Sequence, residues 1–151
     1  MKVRDCMTRD VRTARPDQSL REVALEMLES DIGVLPVEDG ERLIGMITDR
    51  DIATRAVAMG LGPDTKVRNV MSKEVLYCFA DHDIDDVAEN MADIQVRRLP
   101  VVDNDKRLVG LITIADLVRG AGPDTAASAL SGVNQPGGQH TQTTNGRTSS
   151  F

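Results

Sequence analysis

Apolar and polar positions follow two periods along this chain, and each period occurs twice. Apolar residues recur at helical spacing from Leu20 to Leu28 and again from Ile84 to Ala92. Ser19 and Glu22 have the spacing of a capping box before the first helix, and Asp83 is the predicted N-cap of the second. Two apolar runs around a polar turn predict a β-hairpin in "IGVLPVEDGERLIGMIT" and another in "RRLPVVDNDKRLVGLIT".

These elements form an internal repeat. The matched pairs include Met7 and Met71, Val23 and Val87, Met27 and Met91, Pro36 and Pro100, Gly45 and Gly110, Thr48 and Thr113, and Asp51 and Asp116. The second copy is one residue longer, in the polar turn of its hairpin, where loops tolerate changes of length. Each copy predicts strand, helix, strand, strand, helix. The last helices begin at about Thr48 and Thr113, and the first of them runs to about Ala58.

The repeat sets the predicted domain organisation, an α+β protein with repeat 1 at 1–59, a linker at 60–66 and repeat 2 at 67–120. Residues 121–151 are a predicted C-terminal tail, with a short helix through 126–130. From about Ser131 the tail consists mainly of Gly, Gln, Thr, Ser and Asn, a composition typical of disorder.

Composition excludes several classes of partner. The net charge of −6 argues against nucleic acid, whose backbone attracts basic surfaces. No apolar run approaches the roughly 20 residues that span a bilayer, no basic amphipathic helix is evident, and the start lacks a signal-peptide pattern. We therefore expect a cytoplasmic location. Cys6 and Cys78 indicate ordinary thiols, and "DHDIDD" (81–86) lacks the Gly and Glu of an EF-hand, so no metal site is predicted.

The repeated stretches "DIGVLPVED…RLIGMITDRDI" and "IQVRRLPVVD…RLVGLITIADL" resemble a tandem pair of CBS domains, often called a Bateman module. The resemblance covers roughly residues 3–119 and is greatest to small stand-alone bacterial proteins. It implies two β-α-β-β-α repeats packed through their sheets about a pseudo-twofold axis, and commonly a homodimer. It also implies adenosine nucleotides such as AMP, ADP or ATP as effectors in clefts between the repeats, with no cofactor required.

The Thr-x-x-Asp sequence at each last helix has two interpretations. It is close to a capping box, in which the Thr hydroxyl and the carboxylate satisfy backbone N–H groups at the start of the helix. However, the usual third residue is Glu or Gln, and Asp is one methylene shorter. Because Asp51 and Asp116 both occupy this position, we expect the carboxylate to act elsewhere, while Thr still caps the helix, so that capping and ligand binding are compatible. A helix N-terminus also favours phosphate, and a carboxylate can accept hydrogen bonds from both hydroxyls of a ribose.

The resemblance assigns ligand roles to residues in both repeats. Asp51 and Asp116 would bind ribose beside Thr48 and Thr113. The adenine pockets would be lined by Met46, Leu111, Thr13 and the chain just before the two strand prolines, Pro36 and Pro100.

The arginines differ between the repeats. Relatives often contact phosphate through the residue three before the strand proline, which is Gly33 in repeat 1 and Arg97 in repeat 2. They also use the residue two after the junction Thr, supplied by the opposite repeat, which is Arg50 or Ala115. The resemblance therefore implies two arginines, Arg97 and Arg50, for the Asp116 cleft. Ordinary surface salt bridges are the alternative for both.

Three classes of function remain. The first is a regulatory sensor of adenosine nucleotides that acts on an unidentified protein. The second is a ligand-free structural or protein-interaction module that dimerises through the same fold. Catalysis is the least favoured class, because Cys78 and His82 have no orienting third group and no oxyanion site, so no catalytic residues are predicted.

Overall fold

The computed structural model describes residues 1–135 and has the predicted α+β composition. The chain divides into two compact units, each with its own hydrophobic core. Within the described residues, the Asp116 unit comprises Met1–Val11, Leu76–Asn104 and 109–135, and the Asp51 unit comprises Arg12–Val75 and Asp105–Leu108. None of the helices within the described residues combines the length and apolar character needed to cross a bilayer.

The Asp51 unit contains one hairpin and two helical segments. Its elements are α1 (Leu20–Ser30), β1 (Val34–Asp39), β2 (Arg42–Thr48) and α2 (Asp49–Asp51), which continues into a π-helical stretch (Ile52–Val57), and a 3₁₀ turn (Val67–Asn69). The strands β1 and β2 are antiparallel, and Gly40 (φ 65°) lies in their turn. Ser19 caps α1 by accepting a hydrogen bond from the Glu22 N–H at 3.1 Å, so the Ser19 half of the predicted capping box is formed, whereas the Glu22 side chain contacts the Ser19 hydroxyl at 3.4 Å instead of its backbone N–H.

The Asp116 unit contains a three-stranded sheet and three helices. Its elements are a 3₁₀ turn (Val3–Asp5), β3 (Cys78–Phe79), α3 (Ile84–Ile94), β4 (Arg98–Val102), β5 (Leu108–Thr113), α4 (Ile114–Gly120) and α5 (Pro123–Val133). The strand order is β3-β4-β5, with β3 parallel to β4. Asp83 caps α3 by accepting the Asp85 N–H at 2.9 Å, which confirms the predicted N-cap.

The first strand of repeat 1 is shorter than predicted. It consists of a single parallel bridge between Ala14 and Val37. The Ala14 N–H donates to the Pro36 carbonyl at 2.8 Å, and the Ala14 carbonyl accepts the Glu38 N–H at 3.0 Å. Pro16, two residues further on, has no N–H to donate, so the ladder cannot continue.

Helix α5 is longer than the predicted segment of 126–130 and ends at Val133. Ala126 and Ala129 are buried in the core of the Asp116 unit. Gly132 packs closely against α3, since a Cβ at this position would lie 2.5 Å from the Ala92 Cβ. Small residues therefore pack this helix against α3 and the core. The disorder predicted from about Ser131 is wrong for 131–133, which belong to α5, and the part of that segment beyond residue 135 lies outside the described residues.

The glycines of the repeated "GMIT" and "GLIT" stretches allow a second segment to cross β2 and β5. In the Asp116 unit, Thr8 and Leu111 exchange two backbone hydrogen bonds of 2.9 Å, and Met7 lies over Gly110. In the Asp51 unit, Ser72 pairs with Met46 in the same way, and Met71 lies over Gly45. Met-Thr and Met-Ser thus have the same structural role, and glycine leaves room for the crossing backbone.

We predict that Gly45→Ala and Gly110→Ala each lower the free energy of unfolding by about 1–3 kcal/mol. The new Cβ would lie 2.8 Å from the Ser72 carbonyl oxygen at position 45 and 2.9 Å from the Thr8 carbonyl oxygen at position 110. Gly62→Ala is the matched control because nothing lies within 4 Å of a Cβ there. Urea unfolding of the three variants measures the effect. Equal midpoints for all three would show that the close approach imposes no steric limit.

Both cysteines are reduced and belong to the Asp116 unit. Cys78 is buried in its core, and burial, with a smaller contribution from the charge of Cys6, raises the pKa of the Cys78 thiol to about 12. Burial is also the main cause that raises the pKa of Cys6, which is partly exposed. A thiol with a raised pKa is protonated at neutral pH and is a poor nucleophile.

We predict that Cys78 of the folded protein reacts with iodoacetamide at pH 8 at least about a thousandfold more slowly than in the urea-unfolded chain, because the thiolate fraction falls tenfold for each pKa unit. Because the folded pKa is the higher one, this thiol stabilises the fold below about pH 9, and its contribution is lost as the pH rises toward 12. Mass spectrometry of the modified peptides measures both cysteines, with Cys6 as the faster internal reference. Equal rates for Cys78 in the folded and unfolded chain would contradict the assignment.

Candidate functional site

Each repeat has a junction where the second hairpin strand becomes a helix, and the same four-residue motif builds both junctions. Thr48 and Thr113 are the N-caps. Their hydroxyls accept the N–H groups of Asp51 at 3.0 Å and Asp116 at 3.2 Å. In return, each carboxylate Oδ2 accepts the Thr backbone N–H, at 3.0 Å for Asp51 and 2.9 Å for Asp116.

Asp is long enough to close the box, contrary to the expectation from its shorter side chain, whereas the expected ligand role of the carboxylate stays a prediction. Both boxes are complete. The extended backbone of the two N-cap residues (φ −120° at Thr48 and −125° at Thr113) brings their N–H groups within reach of the shorter side chain. Capping therefore accounts for one oxygen of each carboxylate, and any ligand role must use the other.

The second oxygen of Asp116 is already engaged within its own unit. The Thr8 hydroxyl donates to Oδ1 at 3.2 Å, and the Arg119 guanidinium forms an ion pair with the same atom. The Asp116 side chain is fully buried, whereas that of Arg119 is 66% exposed. A buried carboxylate requires such compensation. The guanidinium end of this ion pair faces solvent.

The second oxygen of Asp51 has a weaker partner. The Arg55 Nε lies 3.8 Å from Oδ1, and Arg55 also donates to the Val70 carbonyl at 3.4 Å. Sequence reasoning missed Arg55 and Arg119, although arginines three or four residues after a helical aspartate are a known signal for an ion pair. It also missed Thr8, for which no local pattern exists, because this residue comes from a distant segment of the chain.

The chain just before the first hairpin strand completes each junction. The Gly33 carbonyl accepts the Asp49 N–H at 2.9 Å, and the Arg97 carbonyl accepts the Ile114 N–H at 3.2 Å. Gly33 and Arg97 therefore have the same backbone role, as the repeat predicted. This hydrogen bond ties Arg97 to the start of the helix that carries Asp116.

The charged side chains at these two places have opposite sign, Asp49 beside Gly33 and Arg97 itself. In the Asp51 unit the Asp49 carboxylate fills the space that a side chain at Gly33 would occupy, with Oδ2 2.8 Å from the position of a Cβ. In the Asp116 unit the Arg97 guanidinium donates to the Asn134 amide oxygen at 2.9 Å. The sequence predicted a missing cation at Gly33, and the structure adds an anion there. Arg98 is exposed on β4, as expected for the neighbour of Arg97.

The other predicted residues are divided between the units. Thr13 lies beside the Ala14 bridge, and its hydroxyl donates to the Glu38 carboxylate at 2.9 Å. Met46 and Leu111 are half-buried on β2 and β5, next to the crossing segments. Arg50 is exposed in the first turn of α2, within the Asp51 unit, and its backbone N–H donates to the Asp49 carboxylate at 2.8 Å. The supply of Arg50 to the Asp116 site stays a prediction.

Acidic, histidine and cysteine side chains do not assemble into a metal-binding group of three or more within residues 1–135. The acidic segment at 81–86 serves the start of α3 instead, through the Asp83 cap. The partial charges of a helix N-terminus favour such residues.

The CBS domain family matches residues 3–58 and 67–121. The CBS domain-containing protein YhcV of Bacillus subtilis is 39% identical over 133 residues, which cover 87% of this chain and 94% of YhcV. The relative thus consists of little besides the matched segment.

Solved structures show the same fold. Hypoxic Response Protein I, with two coordinated zinc ions, has a TM-score of 0.71 at 38% identity and covers 79% of this chain and 98% of its own. CBSX2 in complex with AMP has a TM-score of 0.68 at 27% identity and covers 80% and 95%. The CBS domain pair of MJ0100, in complex with 5′-methylthioadenosine and S-adenosyl-L-methionine, has a TM-score of 0.67 at 31% identity and covers 81% and 96%.

These matches agree with the internal repeat, the two hairpins and the two capped junctions. Both family matches fall on the predicted repeats, and together they span most of the chain. The α+β fold with two repeats is confirmed by the solved CBS pairs. The chain belongs to the CBS domain family and carries two CBS domains in tandem.

Proposed function

We propose that this protein is a regulatory module that binds an adenosine nucleotide through its CBS domains, with its stronger phosphate site built on Asp116. Two similar CBS pairs support the proposal, since CBSX2 binds AMP and the MJ0100 pair binds 5′-methylthioadenosine and S-adenosyl-L-methionine. These ligands share adenosine. We therefore expect adenosine to be the part common to all ligands of this chain, and the charged group attached to it to decide affinity.

The proposal rests on a difference in charge between two equivalent positions, Gly33 just before β1 and Arg97 just before β4. A phosphate monoester brings nearly two negative charges to a protein that is already at −6. It therefore requires a local cation, which Arg97 provides in the Asp116 unit. The corresponding place in the Asp51 unit holds the Asp49 carboxylate, and like charges repel at this range. The Asp51 site is consequently the weaker phosphate site and favours adenosine ligands without phosphate.

The proposed ribose contact uses Oδ1 of Asp116. This oxygen is paired with Thr8 and Arg119, and the ribose hydroxyls would take the place of the Arg119 guanidinium. The carboxylate stays hydrogen-bonded in this exchange, because the ribose hydroxyls donate to Oδ1 in place of the guanidinium, and Arg119, whose side chain is 66% exposed, returns to solvent. The second phosphate cation implied by the family is Arg50, which remains part of the proposal.

Isothermal titration calorimetry with AMP and adenosine tests the Arg97 assignment. We expect Arg97→Ala to weaken AMP binding about tenfold, because charge-assisted hydrogen bonds contribute roughly 1.5–3 kcal/mol each, and to leave adenosine binding unchanged. Arg98→Ala is the matched control, since it removes an equally charged, exposed neighbour on β4 and should change neither ligand. Equal losses in the two variants would contradict a specific phosphate contact.

The ribose contact requires a milder substitution than alanine, because Asp116→Ala would also break the capping box. Asp116→Asn retains an acceptor for the Thr113 N–H and should remove the tighter phase of binding, whereas Asp51→Asn should leave that phase intact. The reverse pattern would place the stronger site in the Asp51 unit. If neither adenosine, AMP, 5′-methylthioadenosine nor S-adenosyl-L-methionine binds at millimolar concentration, the nucleotide proposal fails and a ligand-free interaction module remains.

We also propose that the protein is a homodimer. Val57 is 69% exposed and Met59 71% exposed at the end of the π-helical stretch, and Val118 is 50% exposed on α4. Each of these two helical segments thus exposes apolar side chains that a partner can cover, and a second copy of the chain is the partner implied by the family.

Light scattering at micromolar concentration should give about twice the chain mass of 16.4 kDa. The double substitution Val57→Glu and Met59→Glu should shift the protein to the monomer, because two charges would be buried in the interface. Leu76→Glu, at another exposed apolar position, is the control and should remain dimeric. A wild-type monomer at this concentration would overturn the proposal.

A further inference from the structure

The last turn of α5 is joined to the chain segment that precedes β4. Gln95 ends α3 in the left-handed region (φ 58°), and its amide Nε2 donates to the carbonyls of Gly132 at 3.2 Å and Gln135 at 3.1 Å. Two residues later, the Arg97 Nη2 donates to the Asn134 Oδ1 at 2.9 Å. Three side-chain hydrogen bonds therefore connect residues 95–97 to the C-terminal end of α5.

The packing beneath these bonds is tight. Gly132 lies so close to α3 that a Cβ would be 2.5 Å from the Ala92 Cβ and 2.9 Å from the Ala92 Cα. One turn earlier, Ala129 is almost completely buried in the core. Asn134 therefore follows a helix end that is packed closely against α3, and its hydrogen bond gives the exposed Arg97 side chain a preferred direction.

The chemical nature of the partner distinguishes Arg97 from several arginines of the described chain. Arg4, Arg12 and Arg119 lie against the carboxylates of Asp81, Glu26 and Asp116, which compensate their charge. Arg97 is held by a neutral amide oxygen and has no ion pair with a carboxylate among the residues that the structure describes. Such a partner fixes the direction of the guanidinium but leaves its positive charge and its other donors for an anion.

We propose that Asn134 is a positioning residue for Arg97, which it orients for the phosphate of an adenosine nucleotide. The inference rests on the proposed function of the Asp116 unit. A flexible arginine must lose rotamer entropy when it binds, and an arginine that is already oriented has lost much of it beforehand. Repeat 1 has Gly33 at the position of Arg97, so this device belongs to one site only.

Two substitutions at position 134 separate orientation from charge. Asn134→Ala removes the hydrogen bond and should weaken AMP about threefold, the lower part of the range expected for an arginine that must be ordered on binding. Asn134→Asp keeps the shape and a hydrogen-bond acceptor but places a carboxylate on Arg97. It should weaken AMP about tenfold, because the new ion pair competes with the phosphate. Neither variant should change adenosine binding.

The same titrations in an Arg97→Ala background provide the decisive comparison. If Asn134 acts through Arg97, Asn134→Asp should have no more than about a twofold further effect on AMP in that background. An undiminished effect there would overturn the proposal, as would equal losses of AMP and adenosine, since both indicate a general change in structure or charge. Wild-type affinity for AMP in both single variants would also overturn it.

Melting temperatures of all variants monitor the fold, and the Asn134→Asp variant keeps the proposal testable if alanine loosens α5. If wild-type protein binds adenosine and AMP but the Asn134 variants match it, the proposed function stands and the positioning role is rejected. If wild-type protein binds neither ligand, the proposed function itself fails, and the positioning role fails with it.

Discussion

A buried carboxylate at the start of a helix is the constraint on which both CBS domains depend. Asp51 and Asp116 are almost completely removed from solvent, and an ionised group in that position must be paired and hydrogen-bonded. The junction supplies the partners from three directions: the N-cap threonine, the helix itself and, for Asp116, the crossing segment that carries Thr8. The carboxylate therefore fixes where the hairpin ends, where the helix begins and which segment lies across the strand.

The order of strands and helices in each repeat could be predicted because local sequence patterns specify it. Helical spacing located α1 and α3, the turn residues located the hairpins, and comparison of the copies aligned Thr48 with Thr113. The candidate site was only partly predictable. Thr8 reaches Asp116 from the other end of the chain. Asn134 reaches Arg97 from the end of a helix that packs through glycine and alanine and not through large apolar side chains. Tertiary contacts of this kind leave no trace in sequence periodicity.

The Asp residue itself shows how a correct pattern can support a wrong inference. Its short side chain favoured a role outside the capping box, but the extended N-cap backbone makes up the missing length and both boxes close. The two junctions are consequently almost identical in backbone and differ in charge. Gly33 and Asp49 lie beside one junction, and Arg97 and Asn134 lie beside the other. The two repeats therefore share their backbone arrangement and differ in the charged residues next to it.

The boundaries of the compact units do not coincide with those of the sequence repeats. Met1–Val11 belongs to the Asp116 unit, although in sequence it is the start of repeat 1. The Asp51 unit extends to Val75, past the start of repeat 2. During synthesis, the Asp51 unit has most of its residues once Val75 has emerged, whereas the Asp116 unit must hold its first segment unpaired until β5 is made. Closing so long a loop is slow. A cut at the repeat boundary would therefore separate Thr8 and Met7 from the strand that they cross.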